Sequence, residues 1–152
     1  MNVYLIYAST SGNVEITIEF IAKLLSYMGF ETKLIRSEQT NIGIIVKNNK
    51  FVFATSTWDH GKINPFFVNL FESMQKHNFQ NKQAAFLGLG DRRYEPVFFC
   101  RAIDQIRDLW LEKGGQAVLP TLKIQGEPYD QLPTIVAPWA NLLARTWAYK
   151  ND

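Results

Sequence analysis

The chain has 152 residues, 47% of them hydrophobic, with a single cysteine and a formal net charge of +2 at pH 7. That is enough apolar material for one domain with a sizeable core, and too little positive charge to argue for a nucleic-acid surface. Cys100 has no second cysteine with which to form a disulfide or a thiolate metal site, which agrees with a reducing compartment.

The N-terminal stretch "MNVYLIYAST" is too short to span a membrane and lacks the basic flank and small-residue cleavage site of a secretory signal, so a cytoplasmic protein is expected. Val3 to Ala8 is an apolar, β-branched and aromatic run that reads as a first strand. A helix follows, with Ile16, Phe20, Leu24 and Tyr27 at helical spacing and Gly29 closing it. Thr32 to Ser37 is a second strand, a helical turn is expected near Ile42 to Val46, and Lys50 to Thr57 is a third, buried strand. A helix with Pro65 in its first turn leads to a fourth strand, Gln83 to Gly90. Pro96 is expected to open a long helix ending at Gly114; a fifth strand interrupted at Pro120 follows, and Leu132 to Ala148 forms a closing amphipathic helix. Unbroken apolar strands alternating with helices predict a parallel sheet with helices on both faces.

Ligands of such sheets bind beyond the carboxyl ends of the strands, where strand order reverses. The loop after the first strand, "STSGNV", offers the hydroxyls of Ser9, Thr10 and Ser11 and the Asn13 amide, and it enters a helix N-terminus whose free N–H groups attract an anion. The competing reading is a plain helix cap by Ser11 or Thr10, with Gly12 permitting the turn. Three consecutive hydroxyls followed by Gly-Asn favour a phosphate site. The loop after the third strand, "STWDHGK", carries Trp58, and the loop after the fourth, "GLGDRRYEP", carries Tyr94. Either aromatic alone is more simply a residue folding back on its own domain, but two on neighbouring loops would sandwich a planar ring, at about 0.5 to 1.5 kcal/mol per ring beyond area burial.

With these three motifs in order and spacing, the chain resembles the flavodoxin family from Met1 to its end. Flavodoxin is itself a standard illustration of the switch-point rule, so the position of flavin mononucleotide (FMN) is an implication of the resemblance. The implied fold is a flavodoxin-like three-layer α/β sandwich, a five-stranded parallel sheet in the order 2-1-3-4-5, with residues 1–152 as one FMN-binding domain. Strand five has no room for the insertion of the long-chain members, so the likeness is to a short-chain flavodoxin. The resemblance further implies a phosphate site at Ser9, Thr10, Ser11, Gly12, Asn13 and Val14, with Trp58 on the inner face of the flavin and Tyr94 on its outer face. Ser56, Thr57, Asp59, Gly61, Gly88, Leu89, Gly90, Asp91, Glu95 and Phe98 would complete the cofactor site. The implied function is a low-potential one-electron carrier working between semiquinone and hydroquinone, a monomer served by redox partner proteins such as a flavodoxin reductase or ferredoxin-type donor. No catalytic residue and no metal is expected: His60 and His77 are too few for a cluster, and Cys100 reads as a small buried hydrophobe.

Three departures from the family pattern carry expectations. Val14 stands where a threonine is usual, which removes a hydroxyl donor. Asp59 follows Trp58 where glycine is common, and the peptide flip that stabilises the semiquinone needs a positive φ that Asp adopts at a cost of about 1 kcal/mol, unless Gly61 takes that role. The sequence pI of 8.7 is unusual in an acidic family, and Arg92 and Arg93 beside Asp91 would make the second potential less negative or, pointing outward, adjust partner docking. His60, if near the ring, would add pH dependence. Among rivals, a phosphoacceptor receiver domain is set aside because "YASTSG" and "FATSTW" lack its acidic cluster. A quinone reductase normally has longer loops, a specialised activator of one enzyme has altered ring loops, and a module without flavin would have no use for Trp58 and Tyr94.

Overall fold

The computed structural model describes residues 1–58, 61–91 and 98–150, the side chains of Trp58, Tyr149 and Lys150 excepted. Its strands are β1 (Asn2–Ala8), β2 (Glu31–Arg36), β3 (Lys50–Trp58), β4 (Lys62–Ile63), β5 (Gln83–Gly90), β6 (Gln116–Ala117) and β7 (Leu122–Gln125). The helices are α1 (Asn13–Tyr27), α2 (Ile42–Lys47), α3 (Val68–Met74), α4 (Arg101–Glu112) and α5 (Ala137–Lys150).

All pairings in the main sheet are parallel, in the order β2-β1-β3-β5, with β6 and β7 both pairing with β5 as two halves of a fifth strand. The expected 2-1-3-4-5 arrangement is therefore present, and the break at Pro120 separates the halves. β4 adds a short antiparallel hairpin to the end of β3, where Trp58 pairs with Lys62.

Period-two alternation sends each strand's side chains to opposite faces. Val3, Leu5 and Tyr7 of β1, with Val52, Ala54, Ala85 and Leu87, pack against α1 and α5 through Ile18, Ile21, Leu25, Leu143 and Trp147. Ile6, Phe51, Phe53 and Phe86 face the other way and pack on Met74 of α3 and Ile103, Ile106 and Trp110 of α4. The Trp110 ring meets Phe53 edge-on at 5.4 Å and stacks on Phe79 at 4.6 Å, so aromatic pairing reinforces area burial on that face. No helix among the described residues is long and apolar enough to cross a membrane.

Three expectations are corrected and a fourth is refined. The buried stripe of α1 is Val14, Thr17, Ile18, Ile21, Ala22 and Leu25, whereas Tyr27 is 93% exposed and Phe20 and Leu24 only flank the core. The helix is apolar on more than one side, so periodicity alone selects the wrong stripe. Pro96 lies outside the described residues, and the helix expected from it begins at Arg101, after Cys100 takes a left-handed φ of 53°. Cys100 is thus in the turn before α4 rather than on the helix; it is fully buried, as expected. The closing helix enters at the expected Leu132 through a π-helical turn, Leu132–Val136, and Pro138, whose ring nitrogen has no N–H to donate to the preceding turn, stands at the junction with α5.

Candidate functional site

The carboxyl ends of β1, β3 and β5 lie side by side, with Ala8 in register with Thr55, Ser56 with Leu89, and Gly90 with Gln125 of β7. This register brings the loops singled out in the sequence to one sheet edge. There a cavity of ≈310 Å³ is lined by Ser11, Asn13 and Val14 from the first loop, Ser56 and Thr57 from the second, and Leu89, Gly90 and Asp91 from the third, with Gly126 and Glu127 closing it.

The hydroxyl loop does not cap its helix in the way the competing reading required. The residue before α1 is Gly12, left-handed at φ 90°, and no side chain caps the helix there. Ser9, 5% exposed, instead turns its hydroxyl to accept from the Gly12 N–H at 3.1 Å. The first intrahelical bond is Ile16 N–H to Gly12 O, so the N–H groups of Asn13, Val14 and Glu15 have no partner among the described residues. Three open donors at a helix N-terminus, beside the exposed hydroxyls of Thr10 and Ser11, form an anion cradle without a cationic side chain in the loop.

The other walls are held from behind. Asn64, fully buried, donates to the Ser56 hydroxyl at 3.3 Å and accepts from Phe66 N–H at 2.9 Å. The Thr57 hydroxyl accepts from the Ala102 N–H at 3.3 Å, in the first turn of α4, so that wall and helix are joined. Gln125 donates to the Asp91 carboxylate at 2.9 Å, and Gly126, at φ 70°, donates its N–H to Gly90 O at 2.8 Å. A side chain at Gly90 would meet Cys100 N at 3.1 Å, which explains glycine at that wall.

Other expected residues fall elsewhere. Gly88 lies inside β5, where a Cβ would come within 2.5 Å of Ile103 Cγ2; it admits α4 and does not line the cavity. Gly61, at φ 79°, packs under Phe98 and gives its carbonyl to Gln105 Nε2 at 3.2 Å. The Phe98 ring lies 5.4 Å from the Arg101 guanidinium. Asp59, His60, Arg92, Arg93, Tyr94 and Glu95 lie outside the described residues, as does the Trp58 side chain, and the proposed ring sandwich falls on them.

Sequence reasoning missed Gly126 and Glu127. "QGEP" directly after the fifth strand is the available signal, a glycine turn at the same carboxyl edge as the loops after strands one, three and four. It also missed a polar cluster beneath the hydroxyl loop. Arg36, at the end of β2, donates Nη2 to Ser9 O at 2.8 Å, ion-pairs with Glu15 at 3.8 Å, and donates Nε to Glu38. Tyr7, its cross-strand neighbour, donates its hydroxyl to Glu15 Oε1 at 2.8 Å. Burial and the Glu15 carboxylate together raise the Tyr7 pKa above its ordinary value, and the Glu38 carboxylate raises that of Arg36.

Comparison with known proteins agrees with this geometry. Residues 5–139 match the family model described as Flavodoxin. The chain is 34% identical over 131 residues to "Probable flavodoxin 2" of Bacillus subtilis (strain 168), covering 83% of each chain. It superposes on oxidised flavodoxin 2 from Bacillus cereus with a TM-score of 0.86 at 24% identity, covering 99% of each chain. It also superposes on Fusobacterium nucleatum flavodoxin bound to flavin mononucleotide, with a TM-score of 0.80 at 16% identity, over 95% of this chain and 97% of that one.

Proposed function

This chain belongs to the flavodoxin family, and from that premise we propose that it is a low-potential one-electron carrier using non-covalently bound FMN. Flavodoxins are electron-transfer proteins rather than enzymes, so the site needs no nucleophile, acid or base. The observation that carries the reading is the cavity itself, in which the open N–H donors of the first turn of α1 meet the backbone edges of β3 and β5.

The donor set fits the cofactor. Backbone N–H groups, hydroxyls and an amide at a helix N-terminus suit a phosphate monoester, while the apolar Val14 and Leu89 beside the edges of β3 and β5 suit the ribityl chain and one rim of a flat ring. Ser11, Asn13 and the N–H groups of Val14 and Glu15 would hold the phosphate, with Ser9 and Gly12 shaping the loop and Thr10 adding a donor. Backbone groups of Ser56, Thr57, Gly90 and Asp91 would meet the ribityl chain and pyrimidine edge, and Trp58 and Tyr94 would cover the ring and exclude water. Bound there, FMN supplies the redox chemistry, and the protein sets its potential and its exposure.

The whole chain acts in this proposal as one FMN-binding domain, a cytoplasmic monomer that takes electrons from a reductase or ferredoxin-type donor and delivers them to an acceptor protein. Spectroelectrochemical titration of the purified protein tests it. Two separated one-electron potentials are expected. Reduction by two electrons at a single potential would instead indicate an FMN-dependent quinone reductase or a specialised activator, and failure to take up FMN would overturn the reading.

A further inference from the structure

We propose that Arg36 is a positioning residue for the phosphate end of the bound flavin: it fixes the Ser9–Thr10 peptide and neutralises the Glu15 carboxylate beside the anion cradle. The inference rests on the flavin reading above and deepens it.

The hydroxyl loop carries no cation of its own, and Arg36 reaches it from a different strand, 27 residues away in the chain. Arg36 Nη2 donates to Ser9 O at 2.8 Å. The described residues have no cis peptide bond, so the Thr10 N–H points opposite to that carbonyl, away from Arg36. One hydrogen bond to the back of the loop therefore orients a donor on its other side. Ser9 is clamped a second time through its hydroxyl, which accepts the Gly12 N–H, so the turn from Ser9 to Gly12 is held at both ends.

Charge gives the second part of the role. Glu15 sits in the first turn of α1, where its carboxylate interacts well with the helix dipole but repels a phosphate dianion seeking the same N–H groups. Its Oε1 accepts from Tyr7, and its Oε2 pairs with Arg36. Glu38 takes the Arg36 Nε, so without Arg36 the carboxylates of Glu15 and Glu38 would both lose this cationic partner. The guanidinium lies against the Tyr7 and Phe66 rings, 5.4 and 5.7 Å from their centroids, which restricts it to this orientation. Two of its nitrogens donate to separate acceptors, Ser9 O and Glu38, while the third faces the Glu15 carboxylate at ion-pair distance, a geometry that a lysine ammonium lacks.

The test compares dissociation constants for FMN and for riboflavin, which has no phosphate, by quenching of flavin fluorescence. Arg36→Gln is expected to weaken FMN about tenfold, the loss of roughly one hydrogen bond to a charged group, and to leave riboflavin unchanged. Glu15→Gln in the Arg36→Gln chain should recover part of the FMN affinity, and Arg36→Lys should fall between wild type and Arg36→Gln. Equal weakening of both flavins, or no change in either, overturns the inference, as does a wild-type protein that binds both flavins equally. If circular dichroism shows Arg36→Gln unfolded, Arg36→Lys decides: an unchanged ratio of the two affinities overturns the inference, and a selective loss for FMN supports it. A wild-type chain that binds neither flavin overturns the flavin reading, and this inference with it.

Discussion

Tyr7 Oη donates a 2.8 Å hydrogen bond to Glu15 Oε1, tying the end of β1 to the first turn of α1 across the hydroxyl loop. Tyr7 is 4% exposed and the Glu15 side chain 39%, so the bond is half-buried, and it spans the two elements whose junction forms the cradle.

The bond has an alkaline consequence. Burial, then the Glu15 hydrogen bond, raise the Tyr7 pKa above 10.0 in the folded protein. A pKa raised on folding gives stability that is complete below the unfolded value and is lost as pH rises through the folded one. Tyr7→Phe should cost about 1 kcal/mol at neutral pH and flatten the fall in stability above about pH 10. Urea denaturation across that range checks it, and identical alkaline slopes in the two proteins would exclude the mechanism.

Val14 is 1% exposed, and it both lines the cavity and packs in the core under α1. Val14→Thr adds a hydroxyl at the cradle at the expense of apolar packing. FMN should bind more tightly, by up to about 1 kcal/mol, while the apoprotein loses stability because valine and threonine are not equivalent in a core. Flavin titration and thermal melting of the same sample separate the two effects. Unchanged or looser binding would show that the hydroxyl has no access to the ligand.

Gly88→Ala probes packing behind the site. The added Cβ would lie 2.5 Å from Ile103 Cγ2 and 3.2 Å from Cys100 Cβ. A loss of about 1 to 3 kcal/mol is expected, with a melting temperature lower by roughly 2 to 4 °C per kcal/mol. In a double-mutant cycle, Ile103→Ala should couple to Gly88→Ala, because it removes the methyl that clashes. Additive losses would contradict the close approach of α4 to β5.

Arg92 and Arg93 lie outside the described residues, in the loop that follows β5 in the sequence. A unit charge about 7 Å from the flavin is worth roughly 0.6 kcal/mol in water and 2.4 at an effective dielectric of 20. Arg92→Gln and Arg93→Gln, made separately, should each make the second one-electron potential more negative. A potential that stays put while partner kinetics change would assign the arginines to docking instead.

Much of the fold was legible because its signals are local. β5 begins and ends at the expected Gln83 and Gly90, since an unbroken apolar run between polar residues has no other consistent reading. The stripe of α1 was not legible, because Ile16, Ile18, Phe20, Ile21, Leu24 and Leu25 leave more than one apolar side and only the sheet selects among them. The start of α4 was misread because proline signals a helix start locally, whereas the chain turns at Cys100, in a left-handed conformation uncommon outside glycine. Gly126 and Glu127 escaped because the side of the cavity that they close depends on which strand lies beside β5 in space.

The sequence by itself determined the order of strands and helices, the three loops at their carboxyl ends and the hydroxyl-rich entry to α1, all of which follow from hydrophobic period and turn chemistry within a few residues. Only the tertiary structure decided that Arg36 stands under Ser9 and that Gln125 holds Asp91, pairs separated by 27 and 34 residues. Those contacts follow from the parallel register that sets Tyr7 beside Arg36 and Gly90 beside Gln125. Register is settled by how both faces of the whole sheet bury their side chains at once, and no short stretch of chain encodes it.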